Sequence, residues 1–363
     1  MIDHSNYFPT TDRGWASERA FWREQLQPAV NFALENEAKL DRNIQKALEN
    51  RAFAEPPPWG DIIGKTRPRE GPHGIILLNG KILTKWGDIS RPDITFSVAK
   101  SFLSICAGLL LDDGLIPSFD DPIRKLVYDG GFDSDQNKDI TWRQMLQMTS
   151  EWHGELWGKP DQVDHNRDLT IQPSDNTTKG TQRQLKKPGT HWEYNDVRVN
   201  RLSLALLRVA KQPLPDLLKE RIMDPISASP TWEWHGYENS WISLGGRQIQ
   251  SVSGGSHWGG GLFINTLDQA RIGLLMLNRG RWNGKQLLSE NYISQALSPC
   301  RVNPDYGLFW WLNNSGSRLT NASRNSVCAV GFGGNFIWIE PDFGLVCVTR
   351  WLESSAYNEF CQK

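Results

Sequence analysis

Ser97-Val98-Ala99-Lys100 is the only S-x-x-K in the chain, and it stands where an extended segment gives way to a helix. Upstream, Arg91-Pro92-Asp93-Ile94-Thr95-Phe96 reads as extended or turning, because Pro92 excludes its predecessor from the helical region. Downstream, Ser101 to Leu111 reads as continuous helix, closed by Asp112-Asp113-Gly114 with the glycine as a left-handed cap. A serine in the first turn and a lysine three residues on share one helix face, so the amine reaches the hydroxyl. Lysine accepts a proton at neutral pH only where desolvation or a neighbouring cation disfavours its charge. Phe102, Leu103, Ile105, Cys106, Ala107, Leu109, Leu110 and Leu111 are apolar on every side of this helix, and that pattern predicts the desolvation. The helix start adds unpaired N–H groups and the positive dipole end beside Ser97, which suits a developing oxyanion.

A chain of 363 residues gives a prior of roughly two domains and room for a large core. Lys and Arg total 40 against 41 Asp and Glu, a balance that predicts neither a nucleic-acid nor a membrane partner. Met1-Ile2-Asp3-His4-Ser5-Asn6 has no basic or apolar signal pattern, and no apolar run approaches about 18 residues, so the expectation is a cytoplasmic protein. The five cysteines are scattered without C-x-x-C spacing and read as buried thiols. No histidine pair has metal-ligand spacing, so neither a metal nor another cofactor is expected. The 17 tryptophans are many for this length, and those beside the motifs are candidates for an apolar pocket wall.

Residues 15–53 carry apolar positions at helical spacing and read as amphipathic helix, followed by a Pro56-Pro57-Pro58 linker. Asn79-Gly80 between Ile75-Ile76-Leu77-Leu78 and Lys81-Ile82-Leu83-Thr84 predicts a hairpin, since both turn residues tolerate positive φ. Helices are expected around Trp142 to Met148, Val197 to Ala210 and Leu262 to Gly280, and strands at Phe336–Ile339 and Leu345–Thr349. Strands at both ends of the chain predict one antiparallel sheet flanked by helices, an α/β (α+β) fold with an inserted, mainly helical lobe. In these terms residues 1–60 form a helical extension packing on the sheet, 61–96 with 250–363 the sheet region, and 97–249 the lobe of one catalytic unit. The active cleft then lies between sheet and lobe.

Tyr194-Asn195-Asp196 precedes a helix that Asn195 or Asp196 can cap, and a phenol beside a cationic lysine could relay a proton between Ser97 and a leaving group. Ser174-Asp175-Asn176 is a rival for the second motif, in a polar loop context. Gly254-Gly255-Ser256-His257-Trp258 begins like a nucleophile elbow but lacks the last glycine, and reads as a pocket-lining loop.

Ser97-Val98-Ala99-Lys100, Tyr194-Asn195-Asp196 and Ala329-Val330-Gly331-Phe332-Gly333-Gly334 resemble, in order, the three elements of the serine β-lactamase-related hydrolases. That group includes class C β-lactamases, D-alanyl-D-alanine carboxypeptidases, family VIII esterases and nylon-oligomer hydrolases. The similarity runs from about residue 70 to the end and includes Trp258-Gly259-Gly260-Gly261-Leu262-Phe263 and Tyr306-Gly307-Leu308-Phe309-Trp310-Trp311. The resemblance implies a β-lactamase/transpeptidase-like fold and an acyl-enzyme on Ser97. It implies proton transfer shared by Lys100 and Tyr194, and an oxyanion hole between the Ser97 N–H and the strand at Gly331 and Phe332. Two departures stand out: Asp196 replaces the usual Asn, and no K-T-G or H-T-G cation marks the strand. The expected substrate is therefore a small neutral ester or amide, in a pocket drawn from Trp152, Trp157, Trp192, Asp196, His257, Trp258 and Trp310. A cation reaching the site from Arg198, Arg247 or Arg324 would overturn neutrality. The alternatives are an acyltransferase on the same machinery, a β-lactamase or D-aminopeptidase/carboxypeptidase, or a non-catalytic ligand-binding relative. Nothing in the sequence fixes an oligomeric state.

Overall fold

A computed structural model describes residues 6–12, 14–18, 20–50, 55, 57–170 and 175–363. His73–Leu78 and Lys81–Trp86 pair antiparallel, with Asn79 and Gly80 at φ of +48° and +78°, the turn conformation that the Asn-Gly pair favours. This hairpin is one side of a six-stranded antiparallel sheet in the order Trp311–Leu312, Val327–Gly331, Asn335–Glu340, Leu345–Arg350, His73–Leu78, Lys81–Trp86. Strands from distant parts of the chain lie side by side at its centre, where His73 faces Arg350 and Leu78 faces Leu345. The helix Thr266–Leu277 crosses this sheet closely: a Cβ on Gly273 would come within 2.5 Å of Val346 Cγ1. Between the sheet strands the chain supplies mostly helix and loop, including Val98–Asp112, Trp142–Leu146 and Asp196–Ala210. The architecture is α/β (α+β), as the sequence pattern predicts.

Three local readings need correction. The apolar positions of 15–53 build three short helices, Ala20–Gln25, Gln27–Glu35 and Ile44–Glu49, with Pro28 opening the second; residues 51–54 and Pro56 lie outside the described residues. Gly261–Ile264 is a strand, and the helix read from Leu262 starts only at Thr266, where Asn265 Oδ1 accepts the Asp268 N–H at 2.8 Å. A second sheet was not read at all: Asp93–Ile94, Gly261–Ile264, Glu233–Leu244 and Arg247–Val252 pair in that order. Its long hairpin turns at Gly245 and Gly246, both at positive φ, and its strands lack a clean alternation of buried and exposed residues. The Gly-Gly pair was the readable signal.

One side chain joins the two sheets. Arg350, fully buried at the end of its strand, donates to Ile264 O at 2.9 Å, to Ile94 O at 2.7 Å and to the Asn335 side chain. Trp351 adds a bond from Nε1 to Asp93 Oδ2 at 2.8 Å. The segment that leads into Ser97 is thereby fixed to the main sheet. Arg350→Leu would strand these buried acceptors, each at a cost of about 1–3 kcal/mol. The expected outcome is a loss of about 3 kcal/mol or more in urea unfolding; a loss below about 1 kcal/mol would show that the junction does not depend on Arg350.

Candidate active site

Phe96 turns the chain into the helix Val98–Asp112 through a φ of +48°, a conformation that costs a non-glycine residue about 1 kcal/mol and directs the next side chain out of the strand. Residues Val98 to Leu110 are buried on every face, in keeping with their composition. Two glycines let other backbone segments close on this turn. A Cβ on Gly255 would lie 1.8 Å from Phe96 O, and one on Gly331 would lie 2.0 Å from Thr95 O. The end of the strand Val327–Gly331 therefore touches the start of the Ser97 helix, with Phe332 edge-on to Phe96 at 5.6 Å. Among the described residues the Ser97 backbone N–H has no backbone acceptor, as is usual at a helix start.

Lys100 Nζ donates to Ser97 Oγ at 2.7 Å and to Gly254 O at 3.1 Å, and lies 2.6 Å from Asp196 Oδ1. Nζ thus makes two hydrogen bonds, to Ser97 and Gly254, and an ion pair with Asp196. This changes the expectation drawn from the sequence. Burial does surround Lys100, but a carboxylate supplies the counter-charge, so desolvation does not act on it alone.

Asp196 is the centre of a larger network. Asn195 caps the helix Asp196–Ala210, accepting the Arg198 N–H at 3.1 Å, and so holds Asp196 in the first turn. Arg167 Nη1 lies 2.9 Å from Asp196 Oδ2 and His257 Nδ1 lies 3.4 Å from it, while the Asp196 N–H donates to Asp164 Oδ2 at 2.7 Å. Burial alone would raise the Asp196 pKa, yet Lys100, Arg167 and His257 outweigh it and hold this carboxyl well below the usual range. Beyond His257 stands Glu55, which contacts both His257 and Lys179, and Lys179 lies 3.3 Å from Asp164. Glu55, Asp164 and His257 bring possible ligand atoms within 4.8 Å of one another, but the Lys179 ammonium already serves the two carboxylates as their cation.

Tyr194 is buried beside this group. Its ring centroid is 5.0 Å from Lys100 Nζ and 5.2 Å from Arg167 Cζ, and Trp311 stacks on it at 5.9 Å with planes 15° apart. Trp192, half-buried, packs against both Tyr194 and Trp311.

The proposed pocket wall is largely corrected. Trp152, Trp258 and Trp310 are core residues, the first two with Nε1 bonded to Gly131 O and Trp59 O, each at 2.7 Å. Asp196 and His257 belong to the charge network, and half-buried Trp157 receives a bond from Asn239 on its carbonyl. Of the named tryptophans, Trp192 is the one packed on Tyr194. Ser256 is buried with its hydroxyl bonded to Tyr237, which rules against an elbow nucleophile. In the rival motif Ser174 lies outside the described residues, and Asn176 donates from Nδ2 to Asp168 O at 2.7 Å. The sequence reading missed Glu55, Asp164, Arg167 and Lys179, which carry no local motif; three of them lie in irregular segments brought together only by folding.

Asp196→Asn removes the carboxylate from a buried group of cations, and such losses cost about 3–5 kcal/mol. The depressed pKa of Asp196 means that its contribution is fully present above its ordinary value of 3.8 and is lost as pH falls from there towards the folded-state value. Urea unfolding should therefore show the variant destabilised at pH 7, with the gap to the wild type narrowing below pH 3.8. An equally stable variant at pH 7 would show that Asp196 is not the keystone of this network.

The family model described as beta-lactamase matches residues 94–349. Among curated proteins, none matches the chain. Similar solved structures include a penicillin-binding protein homologue from Caulobacter crescentus, at 14% identity over 88% of this chain and 95% of that one, with a TM-score of 0.55. EstCE1, a hydrolase with promiscuous acyltransferase activity, shares 13% identity over 88% of this chain and 96% of its own, with a TM-score of 0.55. A family VIII carboxylesterase shares 14% identity over 90% and 97% of the two chains, again with a TM-score of 0.55. At these identities the likeness is one of fold, β-lactamase/transpeptidase-like. Because the matched span takes in the Ser97 turn, the helix after Tyr194 and the Gly331 strand, this chain belongs to the beta-lactamase family.

Proposed function

We propose that the protein is a serine hydrolase that cleaves an ester or amide through an acyl-enzyme on Ser97. The observation that carries this reading is the 2.7 Å contact between Lys100 Nζ and Ser97 Oγ at a helix start. Ser97 Oγ bonds the substrate carbonyl carbon, the alcohol or amine leaves with the serine proton, and water then cleaves the acyl ester to regenerate the hydroxyl. The Ser97 N–H and the backbone at Gly331 flank the place where the carbonyl oxygen would gather charge.

Valence decides how the proton moves. An ammonium has no lone pair to take a further proton, so a Lys100 that stays charged beside Asp196 must first release one or a neighbour must act as base. We assign a share of that work to Tyr194, and the reading is supported by its ring, whose centroid lies 5.0 Å from Nζ. The Asp196 carboxylate then keeps the amine aimed at Ser97 through the cycle. Next to the reacting carbonyl the strand Val327–Gly331 bears no cation, which disfavours a carboxylate at that point and so disfavours β-lactams and D-alanyl termini.

Intact-protein mass spectrometry with an active-site serine probe should show one adduct on the wild type and none on Ser97→Ala. Lys100→Ala and Tyr194→Phe should each lower kcat/KM for a p-nitrophenyl ester at least about 100-fold, the scale of a positioned acid or base. Tyr194→Phe keeps its ring and should keep the wild-type urea midpoint. Full labelling of Ser97→Ala would sink the assignment.

A further inference from the structure

Arg198, Arg183, Arg167 and Arg201 are each paired with a carboxylate. Arg198 meets Glu151 at 3.0 Å, Asp161 at 3.1 Å and Glu193 at 3.1 Å, and Arg183 meets both Glu151 and Glu193 at 2.6 Å. Arg167 is bonded to Asp196, and Arg201 to Asp129. Arg247 and Arg324, the other cations considered from the sequence, are exposed.

Arg318 differs. Its Cζ lies 3.6 Å from the centroid of Trp311, the same ring that stacks on Tyr194. Among the described residues its guanidinium makes neither a hydrogen bond nor an ion pair. It is only half-exposed, and burial disfavours its charge, so its pKa is lowered from the ordinary value. Asp305, which acts on it from a distance, has its carboxylate engaged by Ser315, whose N–H donates at 2.8 Å. The loop that carries Arg318 is held on both sides. Asn313 accepts the Leu319 N–H at 3.0 Å and donates to Ser323 O at 2.9 Å, and Asn358 donates to Arg318 O at 3.3 Å. A guanidinium stacked on an aromatic ring, fixed by its loop and lacking an anion is preorganised for a planar carboxylate.

We propose that Arg318 anchors a carboxylate carried by the substrate away from its scissile bond, so that the preferred substrates are esters or amides with an anionic far end. This rests on the hydrolase reading and replaces the neutral substrate expected from the sequence. The carboxylate is placed one aromatic stack from Tyr194, not beside the Gly331 strand, and the absence of a cation on that strand remains in accord with it.

The test compares p-nitrophenyl monoesters of dicarboxylic acids, glutarate to suberate, with p-nitrophenyl alkanoates of the same chain length. The wild type should favour the carboxylated ester at its best length. In Arg318→Gln the ratio of kcat/KM values, carboxylated over neutral, should fall at least about tenfold, mainly through KM, as expected for loss of a charge-assisted bond. Arg318→Lys should recover part of the ratio, and Arg324→Gln, on the same loop, should leave it unchanged. Binding of the free dicarboxylates to Ser97→Ala protein, measured by calorimetry with and without Arg318→Gln, separates the two readings: it reports on Arg318 even if no ester is turned over. Equal ratios in wild type and Arg318→Gln, or dicarboxylate binding indifferent to Arg318, would overturn the proposal.

Discussion

Three segments far apart in the chain end on one nitrogen. Lys100 Nζ meets the hydroxyl of its own helix turn, the carbonyl of Gly254 and the carboxylate that begins the helix Asp196–Ala210. An ammonium buried this deeply is tolerated only with such partners, because the cost of removing a charge from water is several kcal/mol even after relaxation. The pairing therefore constrains more than Lys100. It fixes the distance between the two central helices and brings the 254–257 loop against them, and it makes Asp196 a charge that must itself be surrounded. Arg167 and His257 both face Asp196, Glu55 faces His257 and Lys179, and Lys179 also faces Asp164.

The sheets serve the same end. Arg350 satisfies carbonyls on both strands of the smaller sheet that flank the approach to Ser97, so the turn at Phe96 inherits the rigidity of the six-stranded sheet. Glycine then sets the tolerances. At Gly255 and Gly331 the neighbouring backbone leaves no room for a Cβ, and that closeness is what brings a strand end and a helix start together. A reaction that develops charge on oxygen gains from donors fixed in advance, since no reorganisation is needed as the charge appears.

Charge is distributed unevenly around this space. Behind Ser97, carboxylates and cations are matched and buried. On the Trp311 side, the aromatic stack ends in a guanidinium that, among the described residues, has a ring face and no carboxylate as its close partner. The contrast separates arginines paired with carboxylates from one that is not, and it is drawn by partners and distances, since residue type is the same in both places.

The sequence by itself determined the Ser97 turn, the buried helix behind it, the Asn79-Gly80 hairpin, the helix capped by Asn195 and the closing strands, because each depends on residues close together in the chain. Propensity, periodicity and turn chemistry are local, and Ser97, Lys100 and Tyr194 stood out by local spacing and by resemblance to a family. The tertiary structure decided what each charge faces. Asp196 and His257 read as pocket wall until folding placed the first on Lys100 and joined the second to Glu55, from a segment some two hundred residues upstream. Trp152, Trp258 and Trp310 were candidates for a pocket wall and otherwise core, and packing buries them in the core. The long strand Glu233–Leu244 lacked the alternation that marks a half-buried strand, since it is covered unevenly along its length. Arg318 carried no motif at all. Whether a cation is bound or free depends on which acids folding brings within reach, and no linear pattern encodes that.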